Sequence, residues 1–144
     1  MLTTNQKGTA AETAIAHEAI KLGIGVYWAL CDERCDLIFD LRPKLVRVQC
    51  KWATRHEDVV VVRLYSARRA ADGLRRTFYS GSDVDAFPAW CPETASCYFF
   101  ELRELTSRSE MRLRLKPTRN NQAKGVKWAD EYEFAAKLGR LVGP

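Results

Sequence analysis

Residues 35 to 53 carry the tightest constraint in this 144-residue chain. Two apolar runs, 35–41 and 45–53, are separated only by Arg42-Pro43-Lys44. A connection this short, with a proline that cannot continue a strand, allows little besides a hairpin. In the second run Leu45, Arg47, Gln49 and Lys51 alternate with Val46, Val48, Cys50 and Trp52, so the two sets belong on opposite faces. The hairpin then lays the face of Gln49 and Lys51 beside Asp36, at the start of the first strand.

The rest of the chain reads as elements placed around this hairpin. Residues 5–22 carry Ala11, Ile15, Ala19 and Leu22 at helical spacing, and Gly23 and Gly25 end the run. Strands are expected at 24–30, 58–65, 84–90 and 96–102, the last two joined at Pro92. Residues 110–116 alternate strictly, with Met111, Leu113 and Leu115 on one face and Arg112, Arg114 and Lys116 on the other. Residues 128–141 predict a closing helix with Trp128, Tyr132, Ala135, Ala136 and Leu138 inward. The order predicts an α/β (α+β) domain around a small mixed sheet flanked by helices, in one unit. No repeat or linker interrupts it.

Five cysteines, Cys31, Cys35, Cys50, Cys91 and Cys97, form neither an even framework nor regular zinc knuckles, so they read as small core side chains. No run is long and apolar enough for a membrane span and the first residues lack a leader pattern. The expected location is intracellular and cytoplasmic, associated with the nucleoid. His17 reads as a helix-surface residue, His56 lacks partner spacing, and the four tryptophans read as core or interface.

Charge is uneven. The net charge is +5, but residues 1–62 are neutral, 63–80 carry +4 and 103–127 carry +6. A basic excess gathered in two segments is what a polyanion-binding surface requires.

The site around the hairpin has a definite chemistry. A carboxylate at Asp36, an amide oxygen at Gln49 and an ammonium at Lys51 suit phosphodiester hydrolysis. A hard cation such as Mg2+, with Mn2+ as a substitute, takes oxygen ligands. It polarises the phosphoryl group and acidifies a bound water, while a lysine offsets charge developing in the transition state. Glu12, at the edge of the helix stripe, can reach such an ion. Its rival reading is a capping box opened by Thr9.

Asn5-Gln6-Lys7-Gly8 before Glu12, the run Cys35-Asp36-Leu37-Ile38-Phe39-Asp40, and Val48-Gln49-Cys50-Lys51 together resemble the PD-(D/E)XK nuclease superfamily. Gly81-Ser82-Asp83-Val84-Asp85-Ala86-Phe87 and Asn120-Asn121-Gln122 look like its small group I intron homing endonuclease branch. The resemblance implies a restriction-endonuclease-like core. It implies Asp36 as chief metal ligand beside the backbone carbonyl of Cys50, Glu12 as the helix acid, and Lys51 as catalytic lysine. Gln49 stands where an acid is usual, and Cys35 where the eponymous proline is.

The expected partner is double-stranded DNA. Arg112, Arg114 and Lys116 can lie along phosphates or in a groove. Asn120, Asn121 and Gln122 can pair with adenine, and Arg119 joins that loop. Arg68, Arg69, Arg75 and Arg76 suit backbone phosphates. Asp83 and Asp85 read as structural rather than a second metal pair. Cutting both strands with so small a domain favours a homodimer or homotetramer. Two other activities fit the same residues: a Holliday junction resolvase-like nuclease, and a nucleic-acid-binding module that has lost catalysis.

Overall fold

The first helix is set by its cap. Thr3 Oγ1 accepts the Gln6 N–H at 3.1 Å and Gln6 Oε1 accepts the Thr3 N–H at 2.9 Å, a capping box that opens α1 at Thr4–Lys21. The Thr9–Glu12 alternative is thereby excluded. Thr9 lies inside the helix and donates its hydroxyl to Asn5 O at 3.2 Å. Ala11, Ile15, Ala16 and Ala19 are buried; Leu22, expected inward, sits at the cap and is exposed. Gly23 turns the chain with φ +79°, a conformation other residues resist.

The computed structural model describes every residue except 71, 72, 79, 108, 119, 121–123 and 142–144, with the backbone alone at 66–70 and 74–78. Strands follow in the order β1 (Gly25–Trp28), β2 (Leu37–Asp40), β3 (Leu45–Val48), β4 (Lys51–Trp52), β5 (Thr54–His56), β6 (Val59–Arg63), β7 (Tyr65–Ala70), β8 (Gly73–Phe78), β9 (Ala86–Cys91), β10 (Ser96–Glu101) and β11 (Glu110–Arg114). A short α2 (Phe134–Gly139) closes the chain. No described helix is long and apolar enough to cross a membrane.

The main sheet runs β1-β2-β3-β9-β10, with β4 also on β9. It is mixed: β3 and β4 pair with β9 in parallel, and the other pairs are antiparallel. The hairpin forms as expected, with Leu37 opposite Val48 and Asp40 opposite Leu45. Leu41 N–H closes its turn on Lys44 O at 2.8 Å.

Both faces of this sheet are covered. On one, α1 and α2 pack on Leu37, Phe39, Val46, Val48 and Phe99, with Phe134 edge-on to Phe39 and to Phe99 at 6.1 Å between ring centroids. On the other, the three-stranded sheet β11-β6-β5 supplies Val60, Val62, Met111 and Leu113 against Phe87, Ala89, Tyr98 and Phe100. Burial on both sides explains why β9 and β10 are almost wholly apolar.

Two sequence expectations, the strand over 45–53 and the closing helix, need correction, and the basic segment between them takes a definite form. The single strand expected over 45–53 is two, β3 and β4, with Gln49 and Cys50 between them. Gln49 N–H still reaches Ala86 O at 3.2 Å. The next rung of a parallel ladder would come from residue 88, which is Pro88 and has no N–H. The basic segment 66–77 is a two-stranded ribbon, β7 with β8, whose register sets Arg68 opposite Arg75 and Ala67 opposite Arg76. The closing helix is broken. A 3-10 turn spans Ala129–Tyr132, Glu133 forms a bridge with Tyr98, and α2 follows. Phe134 and Leu138 face the core, whereas Ala135 and Ala136 are exposed.

Candidate active site

Asp36 stands where β2 and β3 part. Its N–H makes a last rung to Val48 O at 2.9 Å, and its Oδ2 accepts the Cys50 N–H at 2.9 Å. A side chain thus takes over from the strand as hydrogen-bond partner at the gap between β3 and β4. Burial pushes the Asp36 carboxyl up to about 6; the Cys50 N–H and the Lys51 charge oppose that rise, and the Glu12 charge adds to it.

Lys51 opens β4. Burial draws its ammonium down to about 8, against the pull of Asp36 and with a push from Arg34. At neutral pH it is therefore chiefly a cation. Gln49 stands two residues before Lys51, and its side-chain Oε1 is buried without a hydrogen-bond partner among the described residues. An orphaned buried amide oxygen is a cost that a bound electrophile or cation relieves.

Glu12 comes to the same region from α1. It is half-buried, it acts electrostatically on both Asp36 and Cys50, and its Oε1 accepts the indole N–H of Trp28 at 3.2 Å. The four residues singled out from the sequence are thus brought to one end of the sheet. Trp28, assigned from the sequence to core or interface, and Arg34, whose charge acts on Lys51, also lie beside them.

The donor set is two carboxylates and an amide oxygen, with a lysine beside them. Among the described residues no three His, Cys, Asp or Glu side chains group as a metal cage. Hard divalent cations accept amide and carboxylate oxygens alike, so the residues present fit Mg2+ or Mn2+. The cysteines offer no thiolate alternative here: all five are free, Cys91 and Cys97 are buried, and burial drives the Cys50 thiol well up.

Asp83 and Asp85 serve structure. Arg47 grips Asp85 through Nε at 3.2 Å and Nη2 at 2.9 Å, and donates to the carbonyls of Ser82 and Gly81 at 2.8 and 2.7 Å. Asp83 lies 3.8 Å from Arg34. Arg47, two residues before Gln49, thereby ties the turn after the β7–β8 ribbon to β3.

On β11, Arg112 and Lys116 are exposed and Arg114 is half-exposed. Register sets Arg112 beside Val61 and Thr54, Arg114 beside Val59 and His56, and Glu110 beside Arg63. The outer face of this sheet thus carries Arg63, His56 and Thr54 as well, around a cleft of about 480 Å³ bordered by Trp52. Sequence reading missed Arg63 because the run Val59-Val60-Val61-Val62 hides alternation. Asn120 is exposed. Arg119, Asn121 and Gln122, and the side chains of Arg68, Arg69, Arg75 and Arg76, lie outside the described part of the structure.

No curated protein matches the chain. Among solved structures it is similar to the bacterial homing endonuclease I-Ssp6803I, with 27% identity, 97% of each chain covered and a TM-score of 0.77. The family profile of the PD-(D/E)XK endonucleases matches residues 2–135, and with the mixed sheet, Asp36 and the Gln49-Cys50-Lys51 strand end already described, the chain belongs to that family.

Proposed function

We propose that this endonuclease is a divalent-metal-dependent enzyme that hydrolyses double-stranded DNA at a specific site, as a homing-type nuclease does. The observation that carries this reading is the orphaned Gln49 Oε1, buried two residues before Lys51 and one before Cys50, whose N–H the Asp36 carboxylate accepts. The similarity to a homing endonuclease supports the site-specific part. Asp36, Glu12 and Gln49 would hold Mg2+ or Mn2+. The backbone carbonyl of Cys50 would assist, because its N–H already faces Asp36 and an extended residue presents both groups on one edge.

When bound, the metal polarises the phosphoryl oxygens and acidifies a water. Lys51 would position the attacking water by donating to it and would offset the negative charge that grows as one P–O bond forms and another breaks. Asp36, with a carboxyl held near 6, is ionised at neutral pH and orients what it binds through the oxygen that Cys50 leaves free.

DNA would follow the basic surfaces. The β7–β8 ribbon with Arg68, Arg69, Arg75 and Arg76 and the outer face of β5-β6-β11 with Arg63, Arg112 and Arg114 would take phosphates. Lys116 and the loop of Arg119, Asn120, Asn121 and Gln122 would extend that contact. One nuclease domain, with its two basic segments, acts in the cell interior on nucleoid DNA. Two active centres, from a homodimer or homotetramer, cut the two strands.

The deciding experiment incubates protein, Mg2+ and a randomised duplex library, beside Asp36→Ala and an EDTA control, and sequences the new ends. A four-way junction is included. Metal-dependent ends at one sequence, absent in Asp36→Ala, are expected. Cutting confined to the junction would replace this reading with a resolvase, and equal cutting by Asp36→Ala would overturn the site.

A further inference from the structure

Trp28 sits where burial does not account for it. It is the last residue of β1, the edge strand of the main sheet, and it is 59% exposed. An indole has one hydrogen-bond donor, its ring N–H. Trp28 directs that donor to Glu12 Oε1 at 3.2 Å, across sixteen residues of sequence. Among the described residues this is the only hydrogen bond to the Glu12 side chain. Register places Trp28 opposite Leu37, the neighbour of Asp36. One contact therefore joins the helix acid to the end of the strand pair that carries the Asp36 carboxylate.

We propose that Trp28 is a positioning residue for Glu12: its indole N–H occupies one carboxylate oxygen and turns the other toward the metal position beside Asp36. The inference rests on the reading of Glu12 as a metal-site acid. A glutamate side chain on a half-exposed helix face has three rotatable bonds and samples several rotamers. Holding one of its oxygens removes much of that freedom before the ion arrives. Groups of this kind, hydrogen-bonded to ligands rather than to the ion, commonly change metal affinity about 10–100-fold when removed. The ring itself adds little to the core at this exposure, so its N–H is the part that matters.

The test uses the full chain and Mn2+ as the probe, with binding followed by calorimetry. Trp28→Phe keeps an aromatic ring and removes the N–H. It is expected to melt at the wild-type temperature, to bind Mn2+ about tenfold more weakly, and to need correspondingly more metal for half-maximal cleavage with a near wild-type rate at saturation. Glu12→Gln is expected to weaken binding at least as much, and the double variant no more than Glu12→Gln alone, because both remove one device. Trp28→His, which restores a ring N–H, is expected to recover part of the loss. Wild-type Mn2+ binding by Trp28→Phe together with weakened binding by Glu12→Gln would overturn the positioning role and leave the site reading intact. Additive losses in the double variant would overturn it too. Wild-type binding by Glu12→Gln would overturn the reading of Glu12 itself, and this inference with it.

Discussion

Asp36 holds its proton more tightly in the folded chain than in the unfolded one, with a carboxyl near 6 against an ordinary 3.8. Between those values the folded state binds more protons, so the stability it gains is present in full below about pH 4 and is lost as pH rises through about 6. Above that, the fold carries a buried, ionised acid whose relief is a bound cation. Asp36→Asn keeps an oxygen for the Cys50 N–H and removes the charge. At pH 7.5 without metal it should raise the melting temperature by about 3–5 °C, a shift of about 1 kcal/mol after allowing for partial exposure. At pH 4 the two proteins should melt together. Added Mn2+ should stabilise the wild type and not the variant. Equal melting temperatures at pH 7.5 would show that Asp36 is not held against its charge. This residue was legible from the sequence because the hairpin register depends only on the residues that bracket it. The orphaned Gln49 oxygen was not, because its isolation comes from what packs around it.

At the level of elements, local pattern carried the structure wherever neighbours in sequence are also neighbours in space. The 35–53 hairpin, α1 and β11 are of that kind. The division of β3 from β4 was hidden because its cause, Pro88, lies on another strand. The ribbon β7–β8 escaped notice because arginines and small residues mask the alternation of a strand with little to bury. The closing helix was misread for a similar reason: pairing of Glu133 with Tyr98 interrupts it and shifts the inward face onto Phe134. The consequence is measurable. Phe134 is 2% exposed and edge-on to two other phenylalanines, so Phe134→Ala should lower unfolding free energy by about 3–5 kcal/mol in urea titration. Ala135→Ser, at a position the sequence pattern placed inward, should change it by less than about 0.5 kcal/mol. The reverse ranking would mean that the continuous helix is the right description.

Across the whole molecule the charges are sorted rather than merely unequal. The acidic stretch 81–102 is tied up where it stands: Asp83 near Arg34, Asp85 in the grip of Arg47, Glu93 on the Arg55 N–H, and Glu101 on Arg103. Much of the +4 and +6 of segments 63–80 and 103–127 is thereby left for a partner. The segments themselves were readable in the sequence. That β11 and β6 bring Arg112 and Arg63 onto one sheet face required the fold, since forty-eight intervening residues separate them. Each phosphate neutralised releases condensed counterions, so the slope of log affinity against log salt counts the cations that touch DNA. With Asp36→Asn as a non-cutting background, Arg63→Ala with Arg112→Ala should weaken duplex binding across all sequences alike and reduce the magnitude of that slope by about 2. Arg140→Ala, at the end of α2 and far in sequence from both segments, should leave the slope unchanged. Loss of affinity at one sequence only, with the slope intact, would instead make these arginines readers of bases. An unchanged slope and affinity would remove the β5-β6-β11 face from the DNA path and leave the β7–β8 ribbon to carry it.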